Sequence, residues 1–228
     1  MLLSPAEPPS FPDPELFDDE GLIAVGGDLS EKRLLVAYRA GVFPWYNAGY
    51  PPLWWSPNPR SVLPLDAMHI SRSMRRKLRK RDFGVTWNQA FGRVIRACGE
   101  DRSEGTWILP EMISAYEGLH RSGHAHSIEV WAHGDLVGGL YGVQCGGLFA
   151  AESMFHRAAD MSKVALLYAG ASLRHAGIQL FDVQFLTNHL ASLGAREVPR
   201  KQYIQSLRRH CTLPIDLGGL KLTSPVDT

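Results

Sequence analysis

Apolar positions fall into helical and strand-like runs that alternate along most of the chain. Leu34, Leu35 and Tyr38 recur at helical spacing behind Ser30, an N-cap candidate, and Gly41 stands at the C′ position, so a short helix is predicted there. Ser71 is a second N-cap candidate, and Ile70, Met74 and Leu78 recur every four residues as one narrow apolar stripe, which leaves the other faces of that helix cationic. Further helices are predicted from Asn88 through Phe91, Val94, Ile95 and Cys98 to Gly99, and from Pro110 through Met112, Ile113, Tyr116 and Leu119. Then the period changes. Ile128 to Ala132, Leu136 to Cys145 and Leu148 to Met154 read as strands joined at Gly134-Asp135 and Gly146-Gly147, an antiparallel meander. A helix from about Ser162 to Ala176 closes at Gly177, and a strand follows through Leu180, Phe181, Val183 and Phe185. This order predicts an α+β fold with a largely antiparallel sheet.

The start of the chain breaks the pattern. Its first twenty-odd residues are rich in proline and acid, which predicts irregular chain over the surface. Pro44, Pro51, Pro52, Pro57 and Pro59 then forbid a regular helix and leave short edge strands or turns. Residues 1–62 are therefore expected to form a small subdomain, ahead of a larger domain over residues 63–228.

The 228 residues are 45% hydrophobic, ordinary for a folded core. A net charge of +1 conceals segregation, with Glu7, Asp13, Glu15, Asp18, Asp19 and Glu20 near the N-terminus and a basic tract after residue 71. No apolar run approaches the roughly 20 residues that span a bilayer, and Met1-Leu2-Leu3-Ser4-Pro5 lacks a charged leader and an apolar core, so cytoplasmic residence is expected. Cys98, Cys145 and Cys211 are odd in number and scattered, which argues for thiols rather than a disulfide framework.

Two features point to nucleic acid. Phe43, Trp45, Tyr46, Tyr50, Trp54 and Trp55 crowd into one stretch, and Arg72, Arg75, Arg76, Lys77, Arg79, Lys80 and Arg81 into another. Rings stack on bases and cations hold phosphates. A third feature points to catalysis: Asp182 and Gln184, two apart in an apolar strand, share one face of it, and an acid in such surroundings needs partners. Glu152 emerges from an equally apolar strand and is expected in the same cleft. His120, His124 and His126 cluster in what reads as a polar, solvated loop, without the spacing of a metal site. The glycines of residues 134–147 lie between strands with no Gly-Lys-Ser/Thr after them, so hairpin turns account for them. No Gly-x-Ser-x-Gly elbow is present.

Gly26-Gly27-Asp28-Leu29, Gly41-Val42-Phe43-Pro44-Trp45-Tyr46, Trp54-Trp55-Ser56-Pro57, Glu152-Ser153-Met154-Phe155, Asp182-Val183-Gln184 and His189-Leu190-Ala191-Ser192-Leu193-Gly194-Ala195 resemble, in order, the bacterial leucyl/phenylalanyl-tRNA–protein transferases. The resemblance implies a small N-terminal domain before a GNAT-like acyltransferase domain with a mixed, largely antiparallel sheet flanked by helices. It implies transfer of leucine or phenylalanine from charged tRNA to a protein with N-terminal Arg or Lys, which marks that protein for degradation. By the same resemblance, Trp45 and Trp107 hold the terminal adenosine, with Tyr38 and Tyr116 beside it. Leu140, Phe149, Met154 and Leu166 line the side-chain pocket. Glu152, Asp182 and Gln184 surround the acceptor amine and its basic side chain, and whether Asp182 relays a proton through Gln184 or only positions the acceptor stays open. The basic tract would hold tRNA phosphates.

No cofactor and no metal are expected, and the chain is expected to act as a monomer. An aminoacyl-tRNA is an activated ester, so amide formation requires neither ATP nor a covalent enzyme intermediate. A rival enzyme, an acetyl-CoA-dependent N-acetyltransferase, lacks its pyrophosphate loop here, since Ala158-Ala159-Asp160 stands before the helix. Cell-wall peptide ligases that use aminoacyl-tRNA usually duplicate the domain. A non-catalytic RNA-binding protein would leave Glu152, Asp182 and Gln184 without a role.

Overall fold

The computed structural model describes residues 1–100 and 105–226. Its first part is a four-stranded sheet of β1 (Leu2–Leu3), β2 (Leu22–Gly26), β3 (Phe43–Pro44) and β4 (Leu53–Trp55), in the order β1-β2-β4-β3. Helix α1 (Glu31–Arg39) lies between β2 and β3, capped by the Ser30 hydroxyl. Contrary to the expectation of an irregular start, β1 pairs in parallel with β2. The pairing is made by backbone groups, and long-range side-chain bonds reinforce it: buried Arg33 donates to the carbonyls of Ser4 and Glu7, and buried Arg200 to those of Phe17, Asp18 and Ser56.

The larger sheet is built from β5 (Arg60–Val62), β6 (Gly84–Trp87), β7 (Ala125–Ala132), β8 (Asp135–Cys145), β9 (Leu148–His156), β10 (Leu180–Gln184) and β11 (Arg196–Val198). Their order is β11-β5-β10-β9-β8-β7-β6. All neighbours are antiparallel except β9 and β10. The helices are α2 (Arg72–Lys80), α3 (Phe91–Glu100), α4 (Pro110–Arg121), α5 (Met161–His175), α6 (Asn188–Ser192) and α7 (Arg200–His210). The fold is α+β, a mixed and largely antiparallel sheet flanked by helices. The helix expected from Asn88 begins at Phe91, because Asn88 adopts a left-handed turn (φ 58°) in which its side chain accepts the Ser127 amide.

Two apolar clusters follow from strand alternation. One holds Tyr38 of α1, Val94 of α3, Tyr116 of α4 and Tyr203 of α7 together with Ala150 and Leu180. The other packs α2 and α5 against Phe149, Phe181 and Val183. Asp182 falls between Phe181 and Val183, and its carboxylate is accordingly delivered among the polar tips of the first cluster.

Candidate active site

The parallel pair β9–β10 stays in register from Leu148/Leu180 to Ala150/Asp182, and there it stops. Both strands carry an irregularity just beyond. In β9, Tyr141 faces Ser153 and Gly142 faces Ala151, so Glu152 is the extra residue of a bulge. A Cβ at Gly142 would run into the Ala150 carbonyl and the Phe149 ring, so only glycine fits opposite that bulge. In β10 the pairing to β5 skips Val183, and Gln184 takes a left-handed conformation (φ 59°). The strands therefore part at the point where each re-aims a polar side chain.

These side chains form one network. Gln184 Nε2 donates to Glu152 Oε1 at 2.9 Å, and its backbone N–H to Asp182 Oδ1 at 2.9 Å. Tyr116 Oη donates to Glu152 Oε2 at 3.3 Å and shares a 2.6 Å hydrogen bond with Tyr38 Oη. Behind them, Arg60 Nε and Nη2 donate to the two Asp182 oxygens at 2.9 and 2.6 Å, and Tyr203 Oη donates to Oδ2 at 2.8 Å. The Arg60 guanidinium is held between the rings of Phe43 and Tyr203, 4.7 and 4.6 Å from their centroids. Burial, first of all, and the neighbouring Asp182 charge push the Glu152 carboxyl up to about 7, against hydrogen bonds from the tyrosines and the charge of Arg60.

Two cavities meet at this network. A cavity of about 90 Å³ is lined by Leu140, Ala151, Met154, Leu166, Val183 and Leu190, with Glu152, Ser153 and Gln184. A cleft of about 360 Å³ is lined by Phe43, Pro44, Trp45, Trp107, Phe185 and Thr187, and shares Glu152, Ser153, Met154, Val183, Gln184 and Leu190 with the first. Trp45 and Phe185 are each 43% exposed, their centroids 5.8 Å apart, whereas Trp107 is buried. Larger depressions lie elsewhere: two of about 630 and 540 Å³ around Asp66 and Arg174, the second reaching the outer side of Tyr203, and one of about 570 Å³ beside Phe91 and Trp131.

Several expectations change. Asp182 is fully buried and faces the protein's own guanidinium, so it does not front an acceptor's. Tyr38 and Tyr116 are core residues that reach the cleft only through Glu152, and Phe149 packs in the core against Phe181, outside the cavity lining. Of the six clustered rings, Phe43, Tyr46 and Trp54 are core, Trp55 is half-buried, and Trp45 and Tyr50 are exposed. The histidines are not a solvated loop: His126 is buried in β7, stacked on Trp87 and bonded to Asn88 and Gln144, and burial pushes it down to about 4. His120 stacks on Phe91. In the basic tract Arg72, Arg76 and Arg79 are exposed, while Lys77 donates to the Ala159 carbonyl and Lys80 pairs with Asp82. Arg60 and Tyr203 were not legible as site residues, because their partner lies 122 and 21 positions away.

A family described as “Leucyl/phenylalanyl-tRNA protein transferase” matches residues 62–208, and its N-terminal domain matches residues 27–58. A leucyl/phenylalanyl-tRNA–protein transferase of Citrobacter koseri is 54% identical over 200 residues, 87% of this chain and 86% of the relative. That of Pectobacterium carotovorum is 53% identical over 210 residues, 91% of this chain and 90% of the relative. An Escherichia coli counterpart is 53% identical over 203 residues, 88% and 86% of the two chains.

Proposed function

The chain belongs to the leucyl/phenylalanyl-tRNA–protein transferase family, and on that premise we propose that the cleft between β9 and β10 carries leucine or phenylalanine from tRNA to the N-terminal amine of a protein beginning with Arg or Lys. The observation that carries the proposal is the meeting of an apolar cavity and an aromatic cleft at Glu152 and Gln184. In an aminoacyl-adenosine the α-carbon and ester carbonyl stand between the side chain and the ribose. A donor with its side chain in the cavity and its adenosine against the rings therefore has its reacting carbonyl beside Glu152 and Gln184. Leu140, Met154 and Leu166 receive the side chain. Trp45 supplies an exposed stacking face, and Trp107 the buried wall behind it.

The acceptor amine reaches the same junction from solvent. Its pKa of roughly 8 leaves about a tenth of it neutral at pH 7, and holding it against the carbonyl supplies several kcal/mol of the rate enhancement. The Gln184 amide and nearby backbone N–H groups are the candidate donors to the oxyanion. The exposed arginines of α2 supply phosphate contacts for the body of the tRNA. Among the described residues no helix is long and apolar enough to cross a membrane. We propose that the protein works in the cytoplasm as a monomer, where charged tRNA and newly exposed N-termini are available.

The test is transfer itself. Labelled leucyl-tRNA and an Arg-initiated peptide, with no CoA and no ATP, should yield a peptide extended by one leucine in its mass spectrum. Absence of extension with folded protein would overturn the assignment.

A further inference from the structure

We propose that Glu152 is the proton acceptor of the transfer reaction, and that Arg60, acting through Asp182 and Gln184, is the residue that positions it. The inference rests on the reading of the cleft given above. A carboxylate has about four lone-pair sites. On Asp182 every one is taken: Oδ1 accepts Arg60 Nε and the Gln184 N–H, and Oδ2 accepts Arg60 Nη2 and Tyr203 Oη. Its charge is also the counter-ion of a fully buried guanidinium. Glu152 is placed differently. Its oxygens take hydrogen bonds from Gln184 Nε2 and Tyr116 Oη, with the Tyr38 hydroxyl as a third donor, which leaves one of the four sites open, and the residue lines both cavities where they meet. The groups facing it are Tyr38 from α1, Tyr116 from α4, Asp182 from β10 and Arg60 from β5.

The linkage from Arg60 is geometric. Its fork fixes the Asp182 carboxylate, Asp182 fixes the Gln184 N–H, and that bond holds Gln184 in the left-handed turn from which its amide reaches Glu152. Gln184 is then a donor that holds the base and carries no proton itself.

In the reaction, the acceptor's α-ammonium gives one proton to the Glu152 carboxylate, and the freed nitrogen lone pair forms the C–N bond while the carbonyl π pair moves to oxygen. The carbonyl re-forms as the ester C–O bond breaks. Glu152 passes its proton to the departing ribose oxygen, takes the second proton from nitrogen and releases it to solvent. The balance is one amide, one ribose hydroxyl and one proton from one ammonium and one ester.

The experiment is turnover against pH, from about pH 5.5 to about 9.5, with leucyl-tRNA and a saturating Arg-initiated peptide, a range that brackets the amine's own pKa of roughly 8. Glu152→Gln should lower turnover near neutral pH by about 100-fold or more, with acceptor KM little changed and the loss shrinking above pH 8. Tyr116→Phe removes a donor that favours the charged carboxylate, so it should move the acid limb of the profile to higher pH. Tyr203→Phe, which leaves one Asp182 site open, should lower turnover without moving that limb. A Glu152→Gln enzyme that turns over like wild type, or one that loses only acceptor affinity, would sink the proposal. An acid limb unmoved in Tyr116→Phe would do the same, since that limb would then belong to the acceptor amine. Wild-type protein that transfers no leucine at all would instead count against the family function of the cleft.

Discussion

Glu152 and Asp182 are two buried carboxylates in one network, and their surroundings give them opposite effects on stability. Glu152 is raised from 4.5 to about 7. The unfolded chain therefore releases this proton near pH 4.5, while the folded protein keeps it to about pH 7, so the group's contribution is intact below the first value and lost as pH rises through the second. Replacing Glu152 by Gln should leave stability unchanged near pH 4 and raise it by up to about 3 kcal/mol at pH 8. Tm measured at both values checks this. Asp182→Asn should act the other way, costing about 3–5 kcal/mol because it leaves Arg60 buried without its counter-ion. Denaturant unfolding that ranks the two variants in reverse order would contradict this account of the pair. A stable Glu152→Gln protein that has lost turnover is the expected signature of a site that sacrifices stability for chemistry.

At the scale of elements, β9 and β10 show how irregularity makes a site. Each strand delivers a polar residue at a bulge, and the bulges coincide with the end of their pairing. Gln184 holds a conformation that favours glycine. Gln184→Gly should therefore fold with little or no loss in Tm, because relief of the backbone offsets the missing side-chain bond. Its turnover should nonetheless fall, measured with the same donor and peptide. Helix α2 is the reverse case, a regular element with an exposed cationic face that we propose holds tRNA phosphates. Its cap and apolar stripe are ordinary, with the Ser71 hydroxyl accepting Met74 N–H and Met74 and Leu78 buried. Replacing Arg72, Arg76 and Arg79 by Ser should change stability by no more than about 0.5 kcal/mol and lower the log–log salt dependence of tRNA binding by about one unit for each phosphate no longer held. A salt slope equal to wild type would remove α2 from the tRNA interface.

Across the whole molecule, the small sheet and the large one jointly frame the cleft, with Phe43, Pro44 and Trp45 contributed by the first and Glu152, Met154 and Gln184 by the second. Trp45→Ala should weaken donor binding by about 1–3 kcal/mol with Tm unchanged, since its ring is largely outside the core, whereas Trp107→Ala should lower both. Equilibrium binding of an aminoacyl-adenosine analogue and thermal unfolding separate the two outcomes. Much of this molecule could be read from its chain. Capping serines, apolar periods and turn glycines are local signals, and they located α1, α2, α4, α5 and the β7–β8–β9 meander because local propensity and burial agree there. The residue strings that carry the family resemblance likewise identified Glu152, Asp182 and Gln184 as a group. Other features depend on contacts between distant segments. β5 and β11 are three residues each, too short to carry a period, and they exist because β10 presents an edge for β5 and β5 one for β11. Which carboxylate faces the cleft depends on Arg60 and Tyr203 arriving from 122 positions before and 21 positions after Asp182 to fill every site on it. Hydrogen-bond saturation is a property of the assembled neighbourhood, so no pattern within the strand Leu180–Gln184 could show that every acceptor site of Asp182 is filled.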